Sequence, residues 1–278
     1  MQGSSRAAVA RGQEVLDAVL SGGPGGAVAG RPDAAALAED LFGVESALGS
    51  SAALRRALTD PTREAAAKAE LVSRLLTGKV SNGAVQVVRA LVEQRWSAER
   101  DLVDAIEGLA VEALAAGAEQ AGRADAVEDE LFRFERLVAA NPPLREAVTD
   151  RRADPAAKRD LVTGLLAGKA SPETVRLAAH AATGARGQRF DRAIEDYLKI
   201  IARRRRQLSA TVTSAIDLDP SQRERLASAL GSIYGTTVHL NVVLDPQILG
   251  GIRVQIGDEV VDGTVLRKLE GARRLLGG

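Results

Sequence analysis

The chain has 278 residues, no cysteine, two histidines and 37 basic side chains balanced by 37 acidic ones. This length is enough for two or three domains of about 100 residues each, with cores of their own. The lack of cysteine excludes disulfides, thiolate metal sites and cysteine nucleophiles, and the balanced charge gives no electrostatic reason to expect binding to nucleic acid or to an anionic membrane surface.

Neither a signal peptide nor a ligand-binding loop is predicted in the N-terminal sequence. The first twenty residues lack the apolar core of a signal peptide, and no later stretch is apolar enough to span a bilayer. The glycine-rich run at residues 22–26 has no Lys-Ser after it, so it is interpreted as a flexible connection rather than a phosphate loop. Any association with a membrane is expected to be indirect, through partner proteins.

Residues 1–207 are rich in Ala, Leu, Glu and Arg, and their apolar positions recur at spacings of three and four. This pattern predicts amphipathic helices. Residues 42–90 align without a gap with residues 132–180 at an offset of 90, and 18 of the 49 aligned positions are identical, including Phe42 with Phe132. The chain is therefore predicted to contain two copies of a small helical bundle, with a junction at residues 115–126.

Repeated boundary signals lie inside the two copies. Asp60-Pro61 and Asp154-Pro155 have the form of an N-cap followed by a first-turn proline, and Ser81 and Ser171 are predicted to begin the next helices. Each intervening helix is predicted to end at a Gly-Lys pair, residues 78–79 and 168–169. These pairs are interpreted as helix ends, because neither carries the second glycine and the Ser or Thr of a phosphate loop.

After residue 207 the sequence pattern changes from helical periodicity to the alternation typical of strands. Residues 210–216, 238–244 and 252–256 have the alternation of strands, and Asp219 is predicted to cap a helix whose Leu226, Leu230 and Ile233 share a face. A last helix is predicted to carry Val265, Leu269, Ala272 and Leu276 on one face. The predicted fold is mostly α, with two helical bundles (residues 1–115 and 116–207) followed by a small strand-helix-strand-strand-helix α+β domain (208–278).

Few side chains are candidates for catalysis, metal binding or partner binding. His180 lies among alanines of a predicted helix and His239 lies on the polar face of a strand, so surface or satisfied histidines are favoured over ligands or bases. Trp96, the only tryptophan, is expected either in the core or as an anchor for a partner. We predict no catalytic, metal-binding or cofactor-binding residues. Four consecutive arginines suit a helix C-terminus or an acidic partner: Arg203, Arg204, Arg205 and Arg206.

The most constrained segment lies near the C-terminus. It combines an Asp-Pro turn, a glycine pair before an alternating strand, a Gly-Asp turn and an Asp-Gly pair. The glycine pair is interpreted as a bulge or bend rather than a phosphate cradle, because no helix follows it. The residues of this signature are Asp245, Pro246, Gly250, Gly251, Gly257, Asp258, Asp262 and Gly263.

From Asp245 to Leu269 this segment resembles the C-terminal signature of the delta subunits of F-type ATP synthases, the bacterial relatives of the mitochondrial oligomycin-sensitivity-conferring protein. Residues 89–95 are similar to the Leu-Val-Glu-Asn-Arg stretch in that family's N-terminal six-helix bundle. Most members have one such bundle, whereas this chain is predicted to have two.

The resemblance implies a non-catalytic stator subunit, bound to alpha subunits of the catalytic head and to b-type subunits of the peripheral stalk, on the cytoplasmic face of the bacterial plasma membrane. It implies a head-side groove between the first and fifth helices and a C-terminal domain that holds the stalk helices. For the four arginines we expect a contact with an acidic stalk helix. Two alternatives remain, a helical adaptor outside the synthase and an enzyme using an unrecognised carboxylate pair. The expected groove residues are Val9, Leu16, Val85, Val88, Val92 and Trp96.

Overall fold

The structure, a computed structural model, describes residues 3–22, 33–150, 152–183, 189–205, 208–234, 238–245, 248, 250–256 and 259–262. The chain divides into two compact units, Met1–Ala202 and Arg203–Gly278. The first is helical and the second combines helix and sheet, which confirms the predicted fold class. The glycine-rich run at 23–26 and the predicted last helix lie outside the described residues.

The helical unit repeats its elements at the offset found in the sequence. The first helices are α1 (Gly3–Leu20), α2 (Ala34–Ser50), α3 (Ala52–Thr59), α4 (Ala65–Leu76), α5 (Asn82–Val92) and α6 (Glu99–Gln120). They are followed by α7 (Ala124–Ala140), α8 (Pro142–Thr149), α9 (Pro155–Leu166), α10 (Pro172–Thr183) and α11 (Phe190–Arg205). Both ends of α2, α3 and α4 recur 90 residues later in α7, α8 and α9, and the start of α5 recurs in α10.

The duplication extends to individual hydrogen bonds. Ser51 caps α3 by accepting from the Leu54 N–H at 3.3 Å, and Asn141 caps α8 by accepting from the Leu144 N–H at 3.2 Å. A carboxylate on the second helix of each copy also accepts from the N–H that precedes the fifth helix. The donor to Asp40 is Ser81, at 2.8 Å, and the donor to Glu130 is Ser171, at 2.9 Å. The two copies therefore share local structure as well as sequence.

One of the two predicted Asp-Pro caps is correct. Asp154 accepts from the Ala156 N–H at 3.1 Å, and Pro155 begins α9. The Asp60 prediction is wrong, because Asp60 follows α3 and accepts from Thr62, and α4 begins only at Ala65. Gly78 and Gly168 lie at the helix ends with φ of 77° and 69°, a conformation that favours glycine.

Helix α6 is the centre of the helical unit. Fourteen of its 22 residues are buried, whereas α1 buries five of 18 along a single stripe. A helix buried on every side has to be surrounded by other elements, and α6 contacts α2, α1 and α5 from the first copy as well as α7 and α10 from the second. One apolar core therefore runs through both copies.

The second unit contains a four-stranded mixed sheet in the order β2-β1-β3-β4. Its elements are β1 (Leu208–Ser214), α12 (Pro220–Tyr234), β2 (Val238–Leu244), β3 (Ile252–Ile256) and β4 (Glu259–Asp262). Strand β1 pairs in parallel with β2 and antiparallel with β3, which also pairs antiparallel with β4. Apolar residues of one sheet face and of α12 form a separate core that includes Ala210, Val212, Leu230 and Val254.

Two details of this unit differ from the sequence prediction. Strand β4 was not predicted, because the short Val260-Val261 pair precedes an Asp-Gly that was interpreted as a helix start. Ile233 was predicted to share the buried face of α12, but it is 74% exposed, whereas Leu230 is buried. The glycine pair behaves as expected, since Gly250 and Gly251 have φ of 131° and 82° immediately before β3.

Candidate partner-binding surfaces

Two glycines allow α1 to lie close to α5. A Cβ at Gly12 would lie 2.6 Å from Leu91 Cδ2 and 2.8 Å from Leu109 Cδ1, and a Cβ at Gly83 would lie 2.7 Å from Val19 Cγ1. Any larger residue at these positions would have to push the helices apart or displace these side chains. The predicted first and fifth helices of copy one therefore form a closely packed pair.

Polar contacts fix α1 against α6 as well. The Ser5 hydroxyl donates to Asp101 at 2.6 Å and accepts from the Ser97 N–H at 2.9 Å. Further along the helix, the Gln13 amide donates to Glu112 at 2.7 Å. These bonds link the two ends of copy one and hold α1 in a defined position along the bundle.

Most of the predicted groove residues lie inside the protein. Leu16, Val88 and Val92 belong to the apolar core, and Val85 is 8% exposed. Val9 is partly exposed and packs against the core. In this conformation the buried residues form the floor of the α1/α5 pair, so that a partner would meet other side chains first.

Sequence reasoning missed the side chains at the surface of this pair. Val15 and Val19 on α1 are partly exposed, and Gln86, Arg89 and Glu93 at α5 are exposed. The signal that would have found the close helix pair is the presence of glycine at positions 12 and 83, inside or at the start of amphipathic helices.

Trp96 follows α5 and is half-buried. Its Nε1–H donates to the Leu91 carbonyl oxygen at 2.9 Å, and its ring packs against the core. Because the indole N–H already has a partner, a second molecule would contact the ring through its apolar surface. Both interpretations made from the sequence, core packing and partner contact, are compatible with this position.

Helix α6, which lies mostly in copy one, contacts α10 of copy two, and these two helices follow α1 and α5 at the offset of 90. Helix α2 of copy one lies against both of them. The Phe42 ring stacks on the His180 ring with centroids 3.8 Å apart, and Glu39 pairs with Arg176 at 3.2 Å. On the α6 side, a Cβ at Gly117 would lie 3.2 Å from the Cβ of Ala34.

His180 is mostly buried at this junction between the copies. Its Nε2 lies 3.8 Å from Glu45 Oε2 and 3.7 Å from Glu107 Oε1, and Glu107 accepts from the Tyr197 hydroxyl at 2.7 Å. Burial lowers the pKa of His180 to about 4, so the imidazole is neutral at neutral pH. The two carboxylates oppose this shift only in their ionised forms. The prediction of a surface or satisfied histidine is wrong, since Nε2 has no hydrogen-bond partner among the described residues.

Helix α11 ends within the arginine run. Arg203 is exposed, Arg204 is half-buried and the helix ends at Arg205, while Arg206 lies outside the described residues. The division between the two units falls between Ala202 and Arg203. The run therefore marks the passage from the helical unit to the sheet unit, which is compatible with the predicted stalk contact but does not test it.

The signature near the C-terminus forms part of the sheet unit. The Asp245 N–H donates to the Ser214 carbonyl oxygen at 2.9 Å, so the end of β2 is tied to the end of β1. Asp262 ends β4. Four signature residues lie outside the described residues: Pro246, Gly257, Asp258 and Gly263.

The described ranges contain neither a metal-binding cluster nor a membrane-spanning helix. No three His, Asp or Glu side chains there converge into a group that could hold a metal ion. Of the helices in the same ranges, none combines the length and the hydropathy that a membrane crossing requires.

The fold defines the class of protein as a duplicated α-helical module followed by a small α+β unit. The family model of the ATP synthase delta (OSCP) subunit matches residues 106–276, which begin within α6. A protein of Kineococcus radiotolerans named ATP synthase subunit delta is 49% identical over 99% of this chain and 98% of its own length. Proteins of the same name from Streptomyces avermitilis and Streptomyces griseus are 45% and 43% identical, over 98% and 100% of this chain and 97% and 100% of their own lengths.

The chain belongs to the ATP synthase delta (OSCP) subunit family, a family of structural, non-catalytic subunits of that complex. This confirms the resemblance found in the sequence. The family model covers copy two and the sheet unit, whereas the full-length relatives also cover copy one. The duplicated form is therefore common to this chain and these relatives.

Proposed function

We propose that this chain is the stator link of a rotary proton-translocating ATP synthase, joining the alpha subunits of the catalytic head to the b-type subunits of the peripheral stalk. The observation that carries the proposal is the pairing of two compact units with separate cores in one member of this family. Two units in one chain can hold two different partners. Once one partner is bound, the other meets its site at high effective concentration.

The role is mechanical. Rotation of the central shaft would drag the head along unless a static connection resisted the torque. A link of this kind needs folded binding surfaces and no reactive group, and helix-in-groove recognition is one way to provide them. In this proposal the complex lies at the cytoplasmic face of the bacterial plasma membrane, and the chain meets the membrane only through the complex.

The functional division that we propose follows the sequence, with copy one at residues 1–115, copy two at 116–207 and the C-terminal domain at 208–278. Helix α6 contributes to the cores of both copies. Copy one would face the head through α1 and α5, with Val9 and Trp96 among the contacts. The C-terminal domain and the arginines that precede it would face the stalk.

Photo-crosslinking in the assembled synthase tests this arrangement. A photoreactive amino acid replacing Trp96 is expected to crosslink to an alpha subunit or within the bundle, and one replacing Arg205 to a b-type subunit. If a synthase purified with its alpha, beta and stalk subunits lacks this chain, the stator role is wrong and an adaptor outside the complex is favoured. ATP hydrolysis by the isolated, pure chain would instead favour the enzyme alternative.

A further inference from the structure

The contact between α2 and α10 is made by side chains around one histidine. Phe42 of α2 stacks on the His180 ring with centroids 3.8 Å apart and 24° between the ring planes. About one turn earlier on both helices, Glu39 pairs with Arg176 at 3.2 Å, and both of these side chains are partly exposed. At the offset of 90 the position of His180 is Ala90 in copy one. The contact between the copies therefore has an ionisable group on one side only of the duplication.

Three helices besides α10 surround the imidazole. Helix α2 contributes Glu45, whose Oε2 lies 3.8 Å from His180 Nε2, and α6 contributes Glu107, whose Oε1 lies 3.7 Å from the same nitrogen. Helix α11 contributes Tyr197, whose hydroxyl donates to Glu107 at 2.7 Å. The side chains of Glu45 and Glu107 are 0% and 9% exposed, so little solvent reaches this cluster.

The other helices that pack on α10 carry charged groups as well. Glu130 of α7 accepts from side chains at the start of α10, Arg145 of α8 donates to a backbone carbonyl of α7, and α9 has the buried Lys158. Among the described residues, the carboxylates in contact with the imidazole are those of Glu45 and Glu107. The response of the junction to pH is therefore decided by three groups.

We propose that His180 is the pH-sensitive element of a latch between the two copies, and that proton uptake by its imidazole in acid releases the end of α10 from α2. The proton comes from the solvent and binds the ring nitrogen that lacks one. In the closed contact the charged ring would lie against Phe42 with little water around it, whereas after release it is hydrated. This inference concerns how the copies are joined and does not depend on the partners of either one.

The difference between the closed and open forms sets the pH range. Burial lowers the pKa of His180 to about 4 in the closed contact, against about 6.5 for an imidazole in water. The open form therefore binds the proton more strongly, and its population rises as the pH falls through this range. The equilibrium constant for opening is expected to increase about twentyfold from pH 7 to pH 5 and to level off below pH 4.

The release is expected to be confined to the last two turns of α10. The first turn has anchors of its own, because Arg123 donates to Glu173 at 2.6 Å and the Thr174 hydroxyl donates to Glu130 at 2.6 Å. Residues 176–183, in contrast, include both side chains that meet α2. A helix end that loses its tertiary contacts frays, so its backbone hydrogen bonds should open together with the latch.

Native-state hydrogen exchange of the full chain, followed by NMR at pH 7 and pH 5, tests this inference. After correction for intrinsic exchange rates, the protection of amides 177–182 is expected to fall about twentyfold on acidification. The matched amides 87–92 at the end of α5, where Ala90 replaces the histidine, should change by less than about threefold. They serve as a control within the same molecule.

Two variants separate the proton from the contact. His180→Gln should abolish the pH dependence at the end of α10, because no ring remains to be charged. Arg176→Gln removes the other contact with α2, so it should lower protection at both pH values and retain the fall between them. Circular dichroism confirms that the helices are retained in each variant.

Three results would overturn the latch. Equal losses of protection in α5 and α10 would show that acid acts on the whole helical unit. A rise in the protection of α10 at pH 5 would show that ionised Glu45 and Glu107 hold the charged ring in place. A folded His180→Gln variant with the pH dependence of the wild type would assign the response to another group. If His180→Gln does not fold, the comparison of α10 with α5 in the wild type and in Arg176→Gln still decides.

Discussion

Copies one and two have nearly the same helices, yet the same residue has different surroundings in each. Phe42 and Phe132 stand at equivalent positions on α2 and α7, but Phe42 is 6% exposed and Phe132 is 51% exposed. The reason is that α10 of copy two covers Phe42, whereas Phe132 has Arg136 beside its ring at 5.6 Å. Duplication preserved the local structure, and contact between the copies then gave them different surfaces.

The largest expected difference between the copies comes from these two phenylalanines. Phe42→Ala should destabilise the helical unit by about 3 to 5 kcal/mol, because it leaves a cavity in the shared core. Phe132→Ala, the matched control, should cost at most about 0.5 kcal/mol, because about half of the residue is already exposed to solvent. Denaturant unfolding followed by circular dichroism measures both. Equal losses would contradict the account of the contact between the copies.

A second test uses pH, since the junction contains His180 and the equivalent position of copy one is Ala90. Burial lowers the pKa of His180 to about 4 in the folded state, against about 6.5 when unfolded. The unfolded chain therefore binds more protons between these values, and stability falls as the pH falls from 6.5 to 4, by up to about 3 kcal/mol.

The measurement for this prediction is the pH dependence of the free energy of unfolding, compared between the wild-type chain and His180→Gln. The difference between the two should shrink or reverse at low pH, because only the wild type has an imidazole that must remain uncharged. The charged groups facing it among the described residues are Glu45 and Glu107. If both carboxylates are ionised and their attraction for a protonated imidazole outweighs the cost of burying its charge, the wild type would gain stability relative to His180→Gln on acidification. The predicted sign would then be wrong.

The close packing of α1 in copy one should respond to its glycine. Gly12→Leu is expected to cost about 2 kcal/mol, because the new side chain must displace Leu91 and Leu109. Gly43→Ala on α2 is the control: a Cβ there meets nothing within 4 Å, so the substitution should stabilise the helix by up to about 1 kcal/mol. Thermal unfolding of both variants provides the comparison. A tolerated Gly12→Leu would show that α1 is loosely held.

The smallest expected effects concern features that the copies share. Ser51→Ala and Asn141→Ala each remove a helix cap with the same geometry, so each should cost about 1 kcal/mol. The losses should agree within a few tenths of a kcal/mol and should add in the double variant, because the caps lie in different copies. Strongly unequal losses, measured by denaturant unfolding, would indicate that the copies differ locally as well as at their contact.

Local structure was largely predictable from the sequence. The offset of 90, the Asp154-Pro155 cap and the glycines at 78 and 168 all follow from short-range signals, and the glycine pair before β3 does as well. The Asp60-Pro61 pair was wrongly predicted to begin a helix, because the same dipeptide also suits the turn that follows α3. Strand β4 was missed because four residues carry too little alternation to be distinguished from a helix start.

The sequence did not predict which of the expected groove residues are buried, or how the two copies pack on each other, for a physical reason. Leu16, Val88 and Val92 have the apolar spacing of a groove wall, but that spacing is also the pattern of a core-facing stripe. Helix α6 is buried on most of its surface, with Glu107 and Glu112 among its buried residues, and its C-terminal part was interpreted as a junction because alanine-rich sequence has weak periodicity. Which copy covers the other depends on contacts between residues far apart in the chain, such as Phe42 with His180.

A matched pair of photo-crosslinks in the assembled synthase tests the central claim most directly. Gln86 on α5 and Arg176 on α10 occupy equivalent positions, and each can be replaced by a photoreactive amino acid. We expect the probe at Gln86 to crosslink to an alpha subunit of the head, and the probe at Arg176 to crosslink to α2 of its own chain. Crosslinks from Arg176 to the alpha subunit, with none from Gln86, would contradict the account.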